Sequence, residues 1–431
     1  MVHIKEFAVE QWMDQHETWA KHNLAETCCA SLSLESLAAL SGDSPATALG
    51  QMLDTSQAQV YGDIRGSPAL RSRIAALYDS ERGGVSADHV LVANGAIQSN
   101  FLALYTQVGP GDHVIVHYPT YQQLYSVPES LGAEVSLWKA KEGVQGGWGV
   151  DVDELERLIR PNTTMIVLKW VIFSPSIEPW YPVEDGMLTR NIQSNPQNPT
   201  GAVLTHETLQ TIISIARKHD MTIHSDEVYR PLFHSLPNGS KPPPSILDFD
   251  YEKTVAVGSM SKAYSLAGIR VGWIASRSRE IIDKCASARD YTTISVGRIN
   301  DKIATFALSS PTVDNLLARN IDLARKNLIL LGEFVAEFAD VVQWVKPQGA
   351  TTAFLRFTRE GRPVNDVELC ERLQYRVGVM FVPGSGCFGE DGDFKGYVRV
   401  GFVPEHEVMV EGLKALREFM VSEYRDVPVI V

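Results

Sequence analysis

A lysine in a turn of small residues is the residue of this chain that is best placed for covalent chemistry. Lys262 follows an apolar, β-branched run over 254–257 that predicts a buried strand, so its amine is expected to point into a crevice. Ser259 lies three residues before Lys262, and Arg270 lies eight residues after it. A hydroxyl and a guanidinium can together bind a phosphate. An amine beside a phosphate site suggests a Schiff base with pyridoxal phosphate, although an isolated lysine is usually a solvated surface group.

Two further segments place polar groups after predicted strands. Residues 194–201 form a turn with two prolines and a glycine, which would hold the Asn198 amide in a rigid loop. Asp226 follows a strand predicted over 221–224 and precedes Tyr229 by three residues. A carboxylate there would keep a pyridine nitrogen protonated, because a nearby opposite charge favours the ionised pair. The simpler alternative for Asp226 is a helix N-cap.

Three weaker signals complete the set of candidate site residues. Tyr121 follows a predicted strand and would either stack on a flat ring or pack in the core. The backbone N–H groups of Ala96 and Ile97 lie at a predicted helix start, where phosphate binds well, but many strand-to-helix turns look similar. Arg399 interrupts an apolar strand over 397–402. If it is buried it would suit a substrate carboxylate, and if it faces solvent it would not.

The order of predicted elements indicates two structural units. Strands and helices alternate up to residue 275, which favours a mainly parallel α/β sheet with ligands outside the strand carboxyl ends. A long helix over 311–337, with Ser310 as its predicted N-cap, and short strands after it predict a smaller α+β unit. Ser33 is the predicted N-cap of an earlier helix. We therefore predict a large cofactor-binding α/β domain over 45–300. Residues 1–44 and 301–431 would form an N-terminal arm and a small domain.

Composition excludes several classes of function. The 431 residues carry a formal charge of −13, which argues against nucleic acid or an anionic membrane as a partner. No signal peptide is predicted, and no run approaches the roughly 20 apolar residues of a membrane span. The five cysteines have neither disulfide nor metal spacing, so we predict a cytoplasmic protein without a metal site. The predicted strand over 89–92 is not followed by the dinucleotide motif GxGxxG, and the P-loop motif GxxxxGK[ST] is absent from the sequence, so the chain is a poor candidate for dinucleotide or nucleoside triphosphate binding.

Several motifs occur in an order that resembles the class I/II aminotransferase family of fold-type I pyridoxal-phosphate enzymes. These motifs are Asn198-Pro199-Thr200-Gly201, Ser225-Asp226-Glu227-Val228-Tyr229, Ser259-x-x-Lys262, Arg270 and Arg399. The resemblance extends from Tyr61 to Phe402. It implies a seven-stranded, mainly parallel sheet flanked by helices, with a smaller α+β domain. It also implies transfer of the amino group of an L-amino acid to a keto acid, with pyridoxal 5′-phosphate as cofactor.

The resemblance also implies roles for individual residues. Lys262 matches the lysine that forms the Schiff base and moves the substrate proton, and Asp226 matches the partner of the pyridine nitrogen. Asn198 and Tyr229 match donors to the ring hydroxyl oxygen, and Tyr121 matches the stacking aromatic. The catalytic residues would thus be Lys262, Asp226 and Tyr229.

Phosphate and substrate groups follow from the same resemblance. The phosphate would be held by Ser259, Arg270 and the backbone of Ala96 and Ile97. Tyr61 matches a tyrosine that reaches the phosphate from the neighbouring subunit, which implies a homodimer. Arg399, with Asn198 beside it, matches the group that binds the α-carboxylate of the substrate.

One departure from the family pattern is an atypical insert over 169–193. It separates the strand over 165–168 from the Asn198 loop, and such long irregular segments are uncommon inside compact domains. The insert is an active-site lid or the product of an incorrectly translated gene model, such as a retained intron. We favour the second interpretation, because the insert interrupts the path to Asn198, and we predict an irregular surface excursion.

The second departure lies in the N-terminal segment. Many family members place a glycine-containing strand over the substrate, but residues 25–31 contain no glycine. In this the chain looks more like the branch that includes capreomycidine synthase, in which the same cofactor performs elimination and cyclisation. Glu26 would then meet a cationic substrate. A lyase or cyclase of specialised amino-acid metabolism is therefore the alternative function, and a scaffold without activity remains a further one.

Overall fold

The N-terminal segment of the protein consists of short helices and one short strand. The structure, a computed structural model, describes residues 3–78, 84–142, 148–169, 198–201, 206–236, 242–390 and 392–430. The first elements are α1 (Ala8–His16), β1 (His22–Asn23), α2 (Leu34–Ala39) and α3 (Pro45–Met52). Helix α2 has the predicted N-cap, because Ser33 Oγ accepts a hydrogen bond from the Ser36 N–H at 3.0 Å.

The middle of the chain alternates strands and helices as predicted. Its strands are β2 (Val90–Ala93), β3 (His113–Tyr118), β4 (Glu134–Lys139), β5 (Lys141–Glu142), β6 (Trp148–Gly149), β7 (Thr163–Leu168), β8 (Thr222–Asp226), β9 (Thr254–Ser259) and β10 (Gly272–Ser276). Its helices are α4 (Pro68–Ala76), α5 (Gly95–Gln107), α6 (Gln123–Ser130), α7 (Val152–Leu158), α8 (His206–Lys218), α9 (Arg279–Arg289) and α10 (Arg298–Ala307).

Seven of these strands form one large sheet in the order β2-β10-β9-β8-β7-β3-β4. Only β10 runs antiparallel to its neighbours, so the predicted mainly parallel seven-stranded sheet is confirmed. Strands β3 and β9 are buried along their whole length, as expected for a sheet covered on both faces. Strands β7, β8 and β9 are neighbours and parallel, so their carboxyl ends meet at one edge.

The rest of the chain builds a second, smaller sheet. Its strands are β11 (Val342–Trp344), β12 (Thr352–Arg359), β13 (Arg362–Pro363), β14 (Val379–Met380), β15 (Val382–Pro383) and β16 (Tyr397–Gly401). Its helices are α11 (Thr312–Glu337), α12 (Asp366–Val377), α13 (Gly384–Cys387) and α14 (His406–Ser422). Strands β11, β12, β16 and β15 pair in this order, all antiparallel, and β13 pairs with β12.

The N-terminal segment is attached to this smaller unit. Strand β1 pairs in parallel with β14, and the Gly401 N–H donates to the Leu24 carbonyl at 2.7 Å. The division into 45–300 and 1–44 with 301–431 stays a prediction, and residue 300 falls inside helix α10. Within the described ranges, no helix combines the length and apolar character needed to cross a membrane.

Candidate active site

A cavity of about 470 Å³ lies at the carboxyl edge of the large sheet, beside β16 and the N-terminal segment. It brings together the predicted site residues other than Tyr61, namely Ala96, Ile97, Tyr121, Asn198, Asp226, Tyr229, Ser259, Lys262, Arg270 and Arg399. Tyr61 does not line the cavity, and its side chain is 82% exposed.

The amine of Lys262 faces the N-terminal segment. Its Nζ donates to Thr27 Oγ1 at 2.6 Å and to Cys28 Sγ at 3.4 Å, and it lies 3.7 Å from Glu26 Oε1. Burial would lower the pKa of Lys262, but Cys28 and Glu26 raise it above its usual range. Burial also raises the pKa of the Cys28 thiol to about 11, so at neutral pH the charged neighbour is the Glu26 carboxylate. The amine is therefore an ammonium in this state.

Glu26 is held in place by its own backbone. Its Oε1 accepts hydrogen bonds from the N–H groups of Thr27 at 2.5 Å and Cys28 at 2.8 Å. Burial would raise the pKa of Glu26, but Lys262 and these hydrogen bonds lower it to about 2. The cavity thus contains a fixed carboxylate next to the candidate catalytic amine.

Asp226 ends strand β8 as a buried, ionised carboxylate. Its Oδ2 accepts from Asn100 Nδ2 at 3.0 Å and from Lys169 Nζ at 3.1 Å, and its Oδ1 accepts from the Val228 N–H at 3.2 Å. Burial would raise the pKa of Asp226, but the charge of Lys169 and these hydrogen bonds lower it. The carboxylate lines the cavity and no helix begins at this point, so the N-cap alternative is wrong.

Lys169 corrects the prediction made for the insert. This first residue of 169–193 has a side chain only 4% exposed, so it is not part of a surface excursion. Its Nζ lies 5.0 Å from the ring centroid of Tyr121 and 5.7 Å from that of Tyr229. The remaining residues, 170–193, lie outside the described residues. Lys169 could have been identified from its position directly after an apolar strand, the same pattern that identified Asp226.

The start of helix α5 and Arg270 form a pocket suited to an anion. Gly95 has φ +77°, and a Cβ placed on it would lie 2.6 Å from Nη2 of Arg270, so this close approach requires glycine. The backbone N–H groups at the start of a helix have no intrahelical partner. Ser259 Oγ lines the same cavity and accepts from the Ser261 N–H at 2.9 Å. Free N–H groups, a hydroxyl and a guanidinium are the groups that bind phosphate.

Arg399 points into the cavity from β16 and is only 4% exposed, so the solvent-facing alternative is wrong. Its Nη1 donates to Asn198 Oδ1 at 3.4 Å and its Nη2 to the Ala25 carbonyl at 3.0 Å. Its Nε has no partner among the described residues. A buried N–H without an acceptor is costly, and a ligand carboxylate would supply one.

Asn100 and Glu10, which the sequence motifs did not single out, support the site. Asn100 donates to Asp226, and its Oδ1 accepts from His224 Nε2 at 2.9 Å. Burial lowers the pKa of His224 to about 4, so this imidazole is neutral. Tyr121 donates its hydroxyl to Glu10 Oε1 at 2.5 Å, which attaches helix α1 to the mouth of the cavity. Both contacts join segments far apart in sequence.

The residues present fit pyridoxal phosphate. The cavity contains an anion pocket, the face of Tyr121, the ionised Asp226 and the amine of Lys262. These are the partners required by a phosphate, a flat ring, a protonated pyridine nitrogen and an aldehyde. Lys169 adds a cation that this arrangement does not call for.

Comparison with known proteins decides the family. The family described as aminotransferase class I and II matches residues 37–416. The chain belongs to this family. A pyridoxal-phosphate-dependent aminotransferase of Streptococcus suis, solved as a crystal structure, is 36% identical with a TM-score of 0.81, covering 97% of this chain and 98% of that one.

Curated relatives of this aminotransferase have more than one activity. Aspartate aminotransferase of Thermotoga maritima is 29% identical over 84% of this chain and 84% of its own length. Capreomycidine synthase of Streptomyces vinaceus is 26% identical over 84% of this chain and 82% of its own length. The protein is thus a fold-type I, pyridoxal 5′-phosphate-dependent transaminase, as the sequence motifs predict.

Proposed function

We propose that this aminotransferase uses Lys262, Asp226 and Tyr229 to move the amino group of an L-amino acid to a keto acid. The observation that carries the assignment is that Lys262 and Asp226 line one cavity, together with the anion pocket and Arg399. One ring can therefore meet a carboxylate and an amine at the same time. When bound, pyridoxal phosphate supplies an electron sink that makes loss of the Cα proton feasible.

In this proposal the chain holds the cofactor through five kinds of contact. Lys262 would bind it covalently, and Asp226 would keep its ring nitrogen protonated. Tyr121 would stack on the ring, while Asn198 and Tyr229 would donate to the ring hydroxyl oxygen. The phosphate would be bound by Ser259, Arg270 and the backbone N–H groups of Ala96 and Ile97.

Lys262 would also move the substrate proton. Its ammonium donates to Thr27 and lies beside Glu26, so these contacts must be exchanged before the amine is free to act as a base. Arg399 would bind the α-carboxylate of the substrate, with Asn198 fixing one edge of the guanidinium. The substrate Cα is then held between Arg399 on the small sheet and Lys262 on the large one.

We also propose a cytoplasmic homodimer in which Tyr61 acts on the partner's site. Tyr61, Tyr291 and Tyr105 are 82%, 91% and 53% exposed, which is unusual for aromatic side chains. Their segments are neighbours, because Gln98 on α5 donates to Thr292 and Thr293 at 3.0 Å. A Cβ placed on Gly62 would lie 2.5 Å from the Val296 carbonyl oxygen, so the Tyr61 segment approaches the same loop. All five cysteines are buried and free, as suits a reducing compartment.

The homodimer predicts complementation between an inactive variant, Lys262→Ala, and an impaired one, Tyr61→Ala, when cofactor is kept at a concentration that limits the activity of Tyr61→Ala. A hybrid of Tyr61→Ala and Lys262→Ala subunits contains one site with an intact lysine and the partner's intact tyrosine. Activity after mixing under dissociating conditions is therefore expected to exceed that of either parent. Tyr61→Ala alone should weaken cofactor binding about tenfold, because it removes a hydrogen bond to a charged group. Tyr105→Ala, which removes another exposed tyrosine, is the control, and absence of recovery in the mixture would exclude the arrangement in trans.

A lyase or cyclase acting on a cationic amino acid is the second candidate. It is favoured by Glu26, a fixed carboxylate that borders the cavity 3.7 Å from Lys262, and by the similarity to capreomycidine synthase. Covalent attachment of the cofactor would remove the ammonium that Glu26 now faces. A positive substrate side chain would then restore the balance of charge.

A panel of amino acids separates the two candidates. Transamination is expected to convert the bound cofactor to its amine form and to release a keto acid in a single turnover. Elimination or cyclisation would return the cofactor to its aldehyde form. Elimination would release free ammonia with its product, and cyclisation would give a product that keeps the amino nitrogen. Cofactor absorbance and product mass are the measurements. If none of the tested amino acids converts the cofactor to its amine form, the aminotransferase proposal is contradicted.

The same panel tests Glu26 as a specificity residue. Glu26→Gln is expected to lower kcat/KM for arginine, lysine and ornithine about 10- to 100-fold, the value of a charge-assisted hydrogen bond. Neutral amino acids should be unaffected. Glu17→Gln is the matched control, because Glu17 also lines the cavity but is not in contact with Lys262. Equal losses for cationic and neutral substrates would show that Glu26 does not select charge.

A further inference from the structure

The ammonium of Lys169 lies beside two groups that the proposed site assigns to the cofactor ring. Its Nζ is 3.1 Å from Asp226 Oδ2, the carboxylate assigned to the ring nitrogen. It is also 5.0 Å from the ring centroid of Tyr121, the aromatic assigned to stacking. A ring that stacks on Tyr121 and whose nitrogen meets Asp226 would compete with this ammonium for the same carboxylate.

The position of Lys169 is determined by the sheet. Strands β7 and β8 pair in parallel with Leu168 opposite Ser225, so the next residues, Lys169 and Asp226, lie side by side at the sheet edge. The Lys169 carbonyl accepts a hydrogen bond from His117 Nδ1 on β3. Burial lowers the pKa of His117 to about 4, so this donor is a neutral imidazole. The backbone at residue 169 is thus fixed on two sides, and only the side chain is free to move.

The Lys169–Asp226 pair also satisfies a buried charge. Both side chains are almost fully buried, at 4% and 2% exposure. Removing one member of such a pair leaves an uncompensated charge, which is strongly destabilising. In cofactor-free protein Lys169 meets this need, and in the loaded protein a protonated ring nitrogen would meet it instead. Asp226 therefore has two alternative cations.

We propose that Lys169 is an internal competitor of the cofactor, whose ammonium neutralises Asp226 in the cofactor-free protein and must leave before the ring binds. The proposal rests on the assignment of Asp226 to the ring nitrogen. Its consequence is a lower apparent affinity, because only the fraction of molecules with Lys169 displaced can bind the ring. When no cofactor is bound, Lys169 would stabilise the fold by neutralising the buried Asp226 carboxylate.

The test uses 4′-deoxypyridoxine 5′-phosphate, a cofactor analogue without the aldehyde. This probe contacts the ring and phosphate sites but cannot bond to Lys262, so it isolates the competition at Asp226. Lys169→Ala is expected to bind the probe at least about tenfold more tightly than the unaltered protein, since the competing state is gone. The cofactor-free variant should unfold at a lower temperature, and saturating probe should remove this deficit.

Two further variants keep the result interpretable. Lys169→Met retains the length of the side chain without its charge, and should show the same direction of change if Lys169→Ala folds poorly. Lys218→Ala removes a lysine that is 64% exposed and paired with Glu156. It should change neither the affinity for the probe nor the unfolding temperature. Unchanged or weaker probe binding in both Lys169 variants, with cofactor still attached at Lys262, overturns this proposal alone. Failure of every variant, including the unaltered protein, to bind the probe overturns the cofactor assignment as well.

Discussion

Replacement of Lys262 by alanine is expected to prevent covalent attachment of the cofactor and to lower kcat by at least about 10⁴-fold. The expected loss is large because, in the proposed mechanism, one amine both binds the cofactor and moves the substrate proton. Lys169, the other lysine that lines the cavity, is held by Asp226 at 3.1 Å and does not replace it. Borohydride reduction followed by peptide mass spectrometry should place the cofactor on Lys262 in the unaltered protein.

The matched control for this prediction is Lys139→Ala. Lys139 is also paired with an aspartate, Asp393, but it is 43% exposed and does not line the cavity. Its loss should leave kcat and cofactor attachment unchanged. Cofactor found on Lys169, or turnover retained without Lys262, would contradict the assigned role of Lys262.

Replacement of Asp226 by alanine is expected to impair both catalysis and folding. Without the carboxylate the ring nitrogen would lose its proton, and a fall in kcat of about 10²- to 10³-fold is expected for loss of one such preorganised electrostatic partner. In cofactor-free protein the same change leaves the Lys169 ammonium buried without its partner. Denaturant titration should then show a loss of about 3–5 kcal/mol in the free energy of unfolding.

The pH at which the unfolding of Asp226→Ala should be measured follows from the direction of the Asp226 pKa shift. The pKa of Asp226 is lowered in the folded protein. Its contribution to stability is therefore complete above the ordinary aspartate pKa of about 3.9 and is lost only as the pH falls through the lower folded value. Denaturant titration at neutral pH thus measures the full contribution of Asp226 to the free energy of unfolding.

The double variant Lys169→Ala with Asp226→Ala should recover much of the stability that Asp226→Ala loses. No recovery would exclude a direct interaction between the two side chains.

Strand ends explain why much of the site could be predicted from sequence. Lys262 and Asp226 follow apolar runs whose parallel strands must end at one edge of the sheet, so their meeting is a consequence of topology. Asn100 could not be found in this way, because its role depends on side-chain hydrogen bonds from α5 to Asp226 and His224 on β8. Lys169 was missed because it was assigned to the insert and not to the end of β7.

Local capping shows a second limit of sequence reasoning. The long helix α11 was predicted with Ser310 as its N-cap, but it begins at Thr312, and Ser310 Oγ donates to Asp314 Oδ2 instead. Several residues near a helix start can accept or donate, and the competition among them depends on backbone geometry. In contrast, Ser33 is the N-cap of α2 as predicted, because its Oγ accepts a hydrogen bond from the Ser36 N–H.

The N-terminal segment contacts both candidate ligand-binding groups of the cavity. Strand β1 pairs with β14, and the Ala25 carbonyl accepts from Arg399 on β16. Four residues later, the Cys29 N–H donates to the backbone carbonyl of Lys262 at 3.3 Å, and Thr27 between them accepts from the Lys262 amine. One short stretch of chain therefore sets the spacing between the guanidinium proposed for the substrate carboxylate and the amine proposed for the cofactor. Substitutions within 25–29 are thus expected to disturb both groups together.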